Sequence, residues 1–328
     1  MIIDRTDFFA IKNVCKLSQL LNLYKNDVIK KSINLDYEIK DISSLKKIKN
    51  NSLLFIKKEN FYSNNIEHNV TCIFENEDFF NKSLGDKNKI LVHNLDEFYI
   101  KIINHIYYHE DFVDVDNDFI NINSSQISSS AKIHDSSKIG KNCVIGRGVK
   151  IGKRCIIKNN VVIKNSILSD NVIVGDNTVI GSTGFGFNLN KLGAKYQLPH
   201  IGIVVIADNV SIGSSCTIDR AKLDETYIGS NTMIDNLVHI AHNVIIQEGA
   251  TIAAQTGISG SVEIGKNLIS GGQAGFAGHI SIGDNVIVAA KSGVTKNIKS
   301  NSIVAGFPAT DIKSWKRQII KQKKDGYK

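Results

Sequence analysis

Isoleucine, or an apolar residue standing in for it, recurs every six residues from Ile127 through Ile133, Ile139, Ile145, Ile151, Ile157 and Ile163. The register slips by one residue to Leu168, Val174 and Ile180, resumes at Ile206, Ile212 and Ile218, and is offset by the insertion AKLDET before running from Ile228 to Ile264. Neither a helix, with about 3.6 residues per turn, nor a flat strand, with about two, has that period. Gly, Asn and Asp fill the intervening positions, as in IGKN, IGRG, VGDN and IGSN. Such residues suit corners that need unusual φ values. An inward apolar side chain every six residues with polar corners predicts short strands wound into a parallel β-helix. With three hexads to a coil, about ten coils stack between Ile127 and Gly306 at roughly 4.8 Å spacing, giving a prism about 45 Å long. The chain is therefore expected to be mainly β.

Residues 1–108 lack the hexad. From about Thr6 to Leu21 the positions of Phe8, Ile11, Val14, Cys15 and Leu21 predict one helical face, followed by strand-like runs SLLFI (Ser52 to Ile56), TCIF and KILV. The segment EFYIKIINHIYY closes this small α/β domain as a helix. A linker over 109–125 leads into a solenoid over 126–307, and 308–328 is long enough for one short basic helix, which Trp315 is placed to anchor. Between Ile180 and Ile206 the repeat is broken by GSTGFGFNLNKLGAKYQLPHIG, whose NKLG reads as the turn of a hairpin projecting from the prism.

With 328 residues, 42% of them hydrophobic, the chain has enough material for two folded units. The N-terminal MIIDRTDFFAIKNVCKL mixes charges among apolar residues, and no apolar run approaches the roughly 18 residues of a membrane span, so neither a signal peptide nor a span is expected. Cys15, Cys72, Cys143, Cys155 and Cys216 have no paired or metal-ligand spacing, which fits a reducing cytoplasm. The formal charge of +8 comes largely from lysines spread along the chain, a solvated surface rather than a nucleic-acid footprint. The exception is the C-terminal KSWKRQIIKQKK.

The repeat does not require the histidines in IDNLVHIAHNVIIQ (Ile234 to Gln247). His242 stands two places after the inward Ile240, hence at a surface corner, where a histidine is either an ordinary polar residue or one that reaches a ligand. The [Ile/Val]-Gly-x4 hexad and GFPA (Gly306 to Ala309) resemble the left-handed β-helix acyltransferases, and the hand comes from that resemblance, since the usual crossover preference is right-handed. IDN with AHNV, then IAAQTGISGSVEIG, GGQAGFAGHISIG, GFGF, LPHIG and TIDR, resemble in order the UDP-3-O-acylglucosamine N-acyltransferases of lipid A synthesis. DISSL and SLLF extend the likeness to that family's uridine-binding domain, so it covers nearly the whole chain.

The resemblance implies transfer of a 3-hydroxyacyl chain from the phosphopantetheine of acyl carrier protein to the 2-amino group of UDP-3-O-acyl-glucosamine, by a cytoplasmic homotrimer with no cofactor of its own. It places the general base on His242, its orienting carboxylate on Asp235, an oxyanion donor on the backbone of Gly260, and a further contact to the intermediate or a phosphate on His279. A neutral imidazole, with a pKa near 6.5, suits removal of a proton from an attacking amine. Phe55, with Phe61 or Tyr62, would stack on uracil, although packing in the core accounts for Phe55 equally well. Gly260 has a parallel reading as a corner residue. Three features depart from the family: Thr183 replaces the usual aspartate before GFG, His239 stands where glutamine is common, and the C-terminal extension is short. The rivals are an O-acyltransferase acting on UDP-N-acetylglucosamine, which lacks the N-terminal domain; a zinc carbonic anhydrase, whose histidine spacing differs; and a non-enzymatic solenoid.

Overall fold

A computed structural model of the chain describes residues 4–57, 69–81, 87–108, 119–189, 193–306 and 312–325. The N-terminal unit is a five-stranded sheet in the order β1-β5-β4-β3-β2, made of β1 (Val28–Ser32), β2 (Asp41–Ser43), β3 (Ser52–Ile56), β4 (Val70–Phe74) and β5 (Asn88–Val92). β2 to β5 are parallel, and β1 is antiparallel to β5. Helices α1 (Leu17–Leu23), α2 (Glu77–Asn81) and α3 (Leu95–Ile106) flank it. Asn94 caps α3 by accepting from Glu97 N–H, and Phe98, Tyr99, Ile102, Ile103 and Ile106 form its buried stripe.

The strands read from SLLFI, TCIF and KILV are present, as is the closing helix. The helix expected from Thr6 to Leu21 is not. Only Leu17–Leu23 is α-helical, because residues 10–16 pair elsewhere: Tyr108 N donates to Ala10 O, Lys12 N to Ile106 O, and Ile39 N to Cys15 O. Long-range backbone bonds overrode the helical spacing, and Ile11 and Val14 are left exposed.

The rest is a three-sided parallel β-helix, whose faces carry ten, eight and nine strands. It opens on Phe119–Ile122, which lies within the stretch expected to be linker and pairs antiparallel with Ser125–Ser128. Along one face Ile218, Ile240, Ile258, Phe276 and Val294 stack inward in register, each buried. Burying such a side chain contributes roughly 1.5–3 kcal/mol, repeated on every rung. Asn142, Asn160 and Asn177 turn corners at φ of 55°, 57° and 60°. Asparagine tolerates that left-handed region, and its amide also bonds to the next coil, at 3.3 Å for Asn142 to Asn160 and 3.2 Å for Asn160 to Asn177.

Buried Arg5 fastens the two units. It donates to Ile42 O in its own domain and to Ile201 O and Leu223 O of the solenoid, and it pairs with Asp41. The excursion after Ile180 does contain a hairpin, Phe187–Leu189 against Lys195–Gln197, with Asn190 to Leu192 outside the described residues. It folds back against the N-terminal unit: Asn188 bonds to Asp96, and Tyr99 OH donates to Pro199 O at 3.1 Å. The C-terminal segment contains α4 (Ile312–Asp325); the Trp315 side chain and the GFPA residues from Phe307 lie outside the described set. All five cysteines are free thiols. No helix among the described residues is long and apolar enough to cross a membrane.

Candidate functional site

Successive coils place Thr217–Asp219, His239–Ile240, Gly257–Ile258 and Gly275–Phe276 side by side on one face. His242 occupies the corner just beyond the second of these strands, half-buried. A Cβ on Gly260, one coil further on, would lie 2.7 Å from both Cε1 and Nε2 of His242. The absence of a side chain at 260 therefore lets the imidazole edge lie there. Gly260 N–H has no acceptor among the described residues. His279 N–H donates to Gly260 O at 3.1 Å, which puts exposed His279, at φ 62°, on the same edge.

The tautomer of His242 follows from its neighbours. Asn243 Oδ1 accepts from Lys222 N–H at 3.0 Å, which identifies that atom as the amide oxygen. The same oxygen lies 3.1 Å from His242 Nδ1. Between an acceptor oxygen and a ring nitrogen, the nitrogen must carry the proton. Nδ1–H therefore donates to Asn243, and in the neutral ring the lone pair falls on Nε2, beside Gly260. That is the protonation pattern a general base requires.

Within the chain, Asp235 does not serve as the orienter expected of it. It lies exposed beyond Met233–Ile234 on another face, and its Oδ1 accepts from Asn236 N and Nδ2. The group holding Nδ1 is Asn243. The carboxylate on the His242 face is Asp219, whose Oδ2 lies 3.9 Å from His239 Nε2. Burial raises the Asp219 pKa above the ordinary carboxylate value, while the positive potentials of His239, His242 and Arg220 act against that rise. His239 also shares a 2.8 Å bond with Thr217 Oγ1 through Nδ1.

The excursion supplies the back wall. His200, 1% exposed, packs its ring edge-on against His242 with centroids 5.0 Å apart. Its Nδ1 donates to Leu198 O at 2.9 Å. Burial first, then the positive potential of His242, pushes its pKa down to about 3, so the ring stays neutral. Arg220 Nε donates to His200 O at 2.9 Å and fixes the backbone there. Gly184 is required by contact: a Cβ there would come 2.5 Å from His242 Cβ. His200 and Asp219 stand in LPHIG and TIDR, and nothing local in the sequence assigns either a role. Only the returning loop and the strand register bring them to His242.

Phe55 lies on β3, half-buried, in edge contact with Tyr99 at 5.2 Å and tilted against Phe98 at 6.3 Å. Core packing accounts for much of that ring. Phe61 and Tyr62 lie outside the described residues. At the carboxyl ends of parallel β3 and β4, a common place for a ligand in such sheets, a cleft of about 460 Å³ is lined by Ile56, Lys57, Glu75, Asn76, Phe79 and Leu95, but not by Phe55. Lys222, between this domain and Asn243, has its Nζ 4.2 Å from the Tyr99 ring centroid, and burial brings its pKa down to about 8. No group of three or more His, Cys, Asp or Glu among the described residues is arranged to hold a metal ion.

Comparison with known proteins gives the fold a context. A family model for the GMPPB C-terminal domain matches residues 122–190, and one for the bacterial transferase hexapeptide (six repeats) matches residues 225–260. The chain is 56% identical over 137 residues to the UDP-3-O-acylglucosamine N-acyltransferase of Rickettsia prowazekii, covering 42% of this chain and 39% of that protein. It is 38% identical over 139 residues to the UDP-3-O-acylglucosamine N-acyltransferase 2 of Sulfurimonas denitrificans, covering 42% and 44%. The matches thus span about two fifths of the length of these curated relatives. Among solved structures, the UDP-N-acetylglucosamine acyltransferase of Francisella novicida aligns with a TM-score of 0.52 at 25% identity over 60% of this chain and 72% of that one. A structure from Acinetobacter baumannii aligns with 0.52 at 23%, over 60% and 76%. The shared fold is the left-handed parallel β-helix, the hand that the resemblance implied. The matched part of the solenoid is thus similar to the hexapeptide repeats of bacterial transferases and to part of the UDP-3-O-acylglucosamine N-acyltransferases.

Proposed function

We propose that this chain transfers a 3-hydroxyacyl group from the thioester of acyl carrier protein to the 2-amino group of UDP-3-O-acyl-glucosamine, the second acylation of lipid A synthesis. The observation that carries the reading is the pairing of His242 with Gly260: an imidazole whose Nδ1 is held by Asn243 turns Nε2 toward the residue whose backbone N–H has no acceptor among the described residues. A base that removes a proton and a donor preset for the carbonyl oxygen are the two requirements of amide formation from a thioester.

In this reading the acceptor's amino group gives a proton to His242 Nε2, and the nitrogen lone pair so freed bonds to the carbonyl carbon. The oxyanion accepts from Gly260 N–H. Collapse of the tetrahedral intermediate breaks the carbon–sulfur bond, and the departing thiolate takes up a proton. Asn243 keeps the tautomer, His200 limits ring rotation, and Asp219 supplies the negative potential that stabilises the imidazolium. Asp235 retains a role only where a neighbouring copy brings it to the site. His279, on the Gly260 edge, is assigned to a phosphate or to the acyl intermediate. Phe55, with Phe61 or Tyr62, is assigned to uracil.

The acyl group arrives already activated on phosphopantetheine, so no resident cofactor enters. A cytoplasmic homotrimer completes the reading, since acyl chains need apolar walls and the exposed Ile269, Ile287 and Met233 offer one between neighbouring copies. The relatives' names support the substrate class. Incubation of the purified protein with hydroxyacyl carrier thioester and UDP-3-O-acyl-glucosamine should yield the amide, detected by mass spectrometry. Acylation of UDP-N-acetylglucosamine instead, or of neither sugar, would overturn the proposal.

A further inference from the structure

Asp219 presents a problem that the proposed reaction does not by itself solve. It is 8% exposed, yet its carboxylate makes no hydrogen bond among the described residues. His239 Nε2 is 3.9 Å away, beyond hydrogen-bond distance. A largely buried carboxylate ordinarily gathers donors, whereas this one keeps a narrow open side, its side chain 11% exposed. The strand register pairs Ile218 with Ile240, so Asp219 ends the strand that runs beside the one leading to His242, and the His242 potential acts on it. The open side of this carboxylate therefore lies where an acceptor's reacting group must come.

We infer that Asp219 is the docking point for the cationic amine of the acceptor, and that it makes the site select an amine over a hydroxyl. This rests on the proposed N-acyltransfer and deepens it. A sugar amine arrives largely as R–NH3+, which offers three donors and a positive charge; a hydroxyl offers one donor and no charge. The ammonium binds Asp219 and gives one proton to His242 Nε2, leaving R–NH2 and imidazolium. The freed lone pair forms the carbon–nitrogen bond, the carbon–sulfur bond breaks, and the second amine proton leaves with the thiolate as thiol. Imidazolium then loses its proton to solvent, so the sum is ammonium plus thioester to amide, thiol and one proton. Throughout, one positive charge stays beside Asp219, first on the substrate and then on His242.

The test compares two probes by calorimetry: UDP-3-O-acyl-glucosamine and its 2-hydroxyl counterpart, 3-O-acylated UDP-glucose. Wild type should bind the amine more tightly, and Asp219→Asn should erase that preference by lowering amine affinity roughly ten- to a hundredfold, as expected for a charged hydrogen bond, with the hydroxyl probe changed little. Asp219→Glu, which keeps the charge, should retain part of the preference, separating charge loss from damage to the fold. An Asn variant that still prefers the amine, or that weakens for both probes equally, overturns the inference while leaving the acyltransferase reading in place. A wild-type protein that acylates neither sugar overturns both.

Discussion

His200 stands edge-on to His242, with the two ring centroids 5.0 Å apart and the planes inclined at 64°. His200 is buried and His242, the proposed base, is half-buried, and the difference lies in their surroundings. His200 is held neutral, its pKa pushed down to about 3 by burial, so it packs against the proposed base as an uncharged wall.

That neutrality has a cost at low pH. The unfolded chain binds a proton at this ring near pH 6.5, whereas the folded chain refuses it until about pH 3. Stability from this source is therefore intact above roughly pH 6.5 and falls on acidification, by up to about 1.4 kcal/mol per pH unit, levelling off below about pH 3. Between pH 6.5 and 5 the loss is about 2 kcal/mol. His200→Gln, which cannot titrate, should show a flatter dependence of unfolding midpoint on pH over that range. Equal slopes would mean that His200 is not kept neutral.

His242→Ala should lower turnover by roughly a hundredfold to ten-thousandfold, the range for loss of a general base. The melting temperature and assembly state should stay close to wild type, since the side chain sits at a corner. Near-normal turnover in a folded variant would remove His242 from the mechanism.

Asn243 and Asp235 make a sharper contrast. Asn243→Ala releases Nδ1 and should cost about ten- to a hundredfold in kcat, an estimate set by the loss of base orientation, with little change in KM. Asp235→Asn can keep accepting from Asn236 through its amide oxygen, so within one chain it should leave kcat nearly unchanged. A larger loss from Asp235→Asn than from Asn243→Ala would indicate that Asp235 acts across a subunit boundary.

Gly260→Ala introduces a Cβ 2.7 Å from Cε1 and Nε2 of His242. The ring must shift, and a displacement near 1 Å costs on the order of a hundredfold in rate. The φ at 260 is not among the left-handed values, so the backbone itself tolerates alanine. Loss of kcat with an unchanged unfolding transition is the expected result; an active Gly260→Ala would place the imidazole elsewhere during reaction.

The exposed basic helix α4 gives a salt-dependent prediction. Reversing Lys321 and Lys323 to glutamate should lower kcat/KM for acyl carrier thioester, more at low ionic strength, because exposed charges steer encounter and are screened by salt. Binding of the nucleotide sugar should be unaffected. A variant equal to wild type at every salt concentration would leave the helix as solvated surface.

The six-residue apolar period by itself determined the solenoid, because an inward isoleucine at each hexad admits few other ways to bury that surface, and Asn or Gly at the corners supplies the required φ. The strands of the N-terminal sheet and helix α3 were legible for the same reason: each carries its own apolar face. The segment before α1 was misread because its backbone bonds are made with Glu38–Ile39 and the end of α3, partners distant in sequence. The site was legible only in part. His242 and Gly260 fall one coil, 18 residues, apart, so the period alone aligns them. Asp235 is seven residues from His242 yet lies around a corner on another face, while Asp219, 23 residues away, lies one coil below on the same face. In a solenoid, nearness follows the coil and not the chain, and the insertion AKLDET shifts that register from 18 to 22 residues between Thr217 and His239. His200 is further still, delivered by an excursion whose return path is set by Arg220, Pro199 and Tyr99. Those contacts join two folded units, and no local pattern in either unit specifies them.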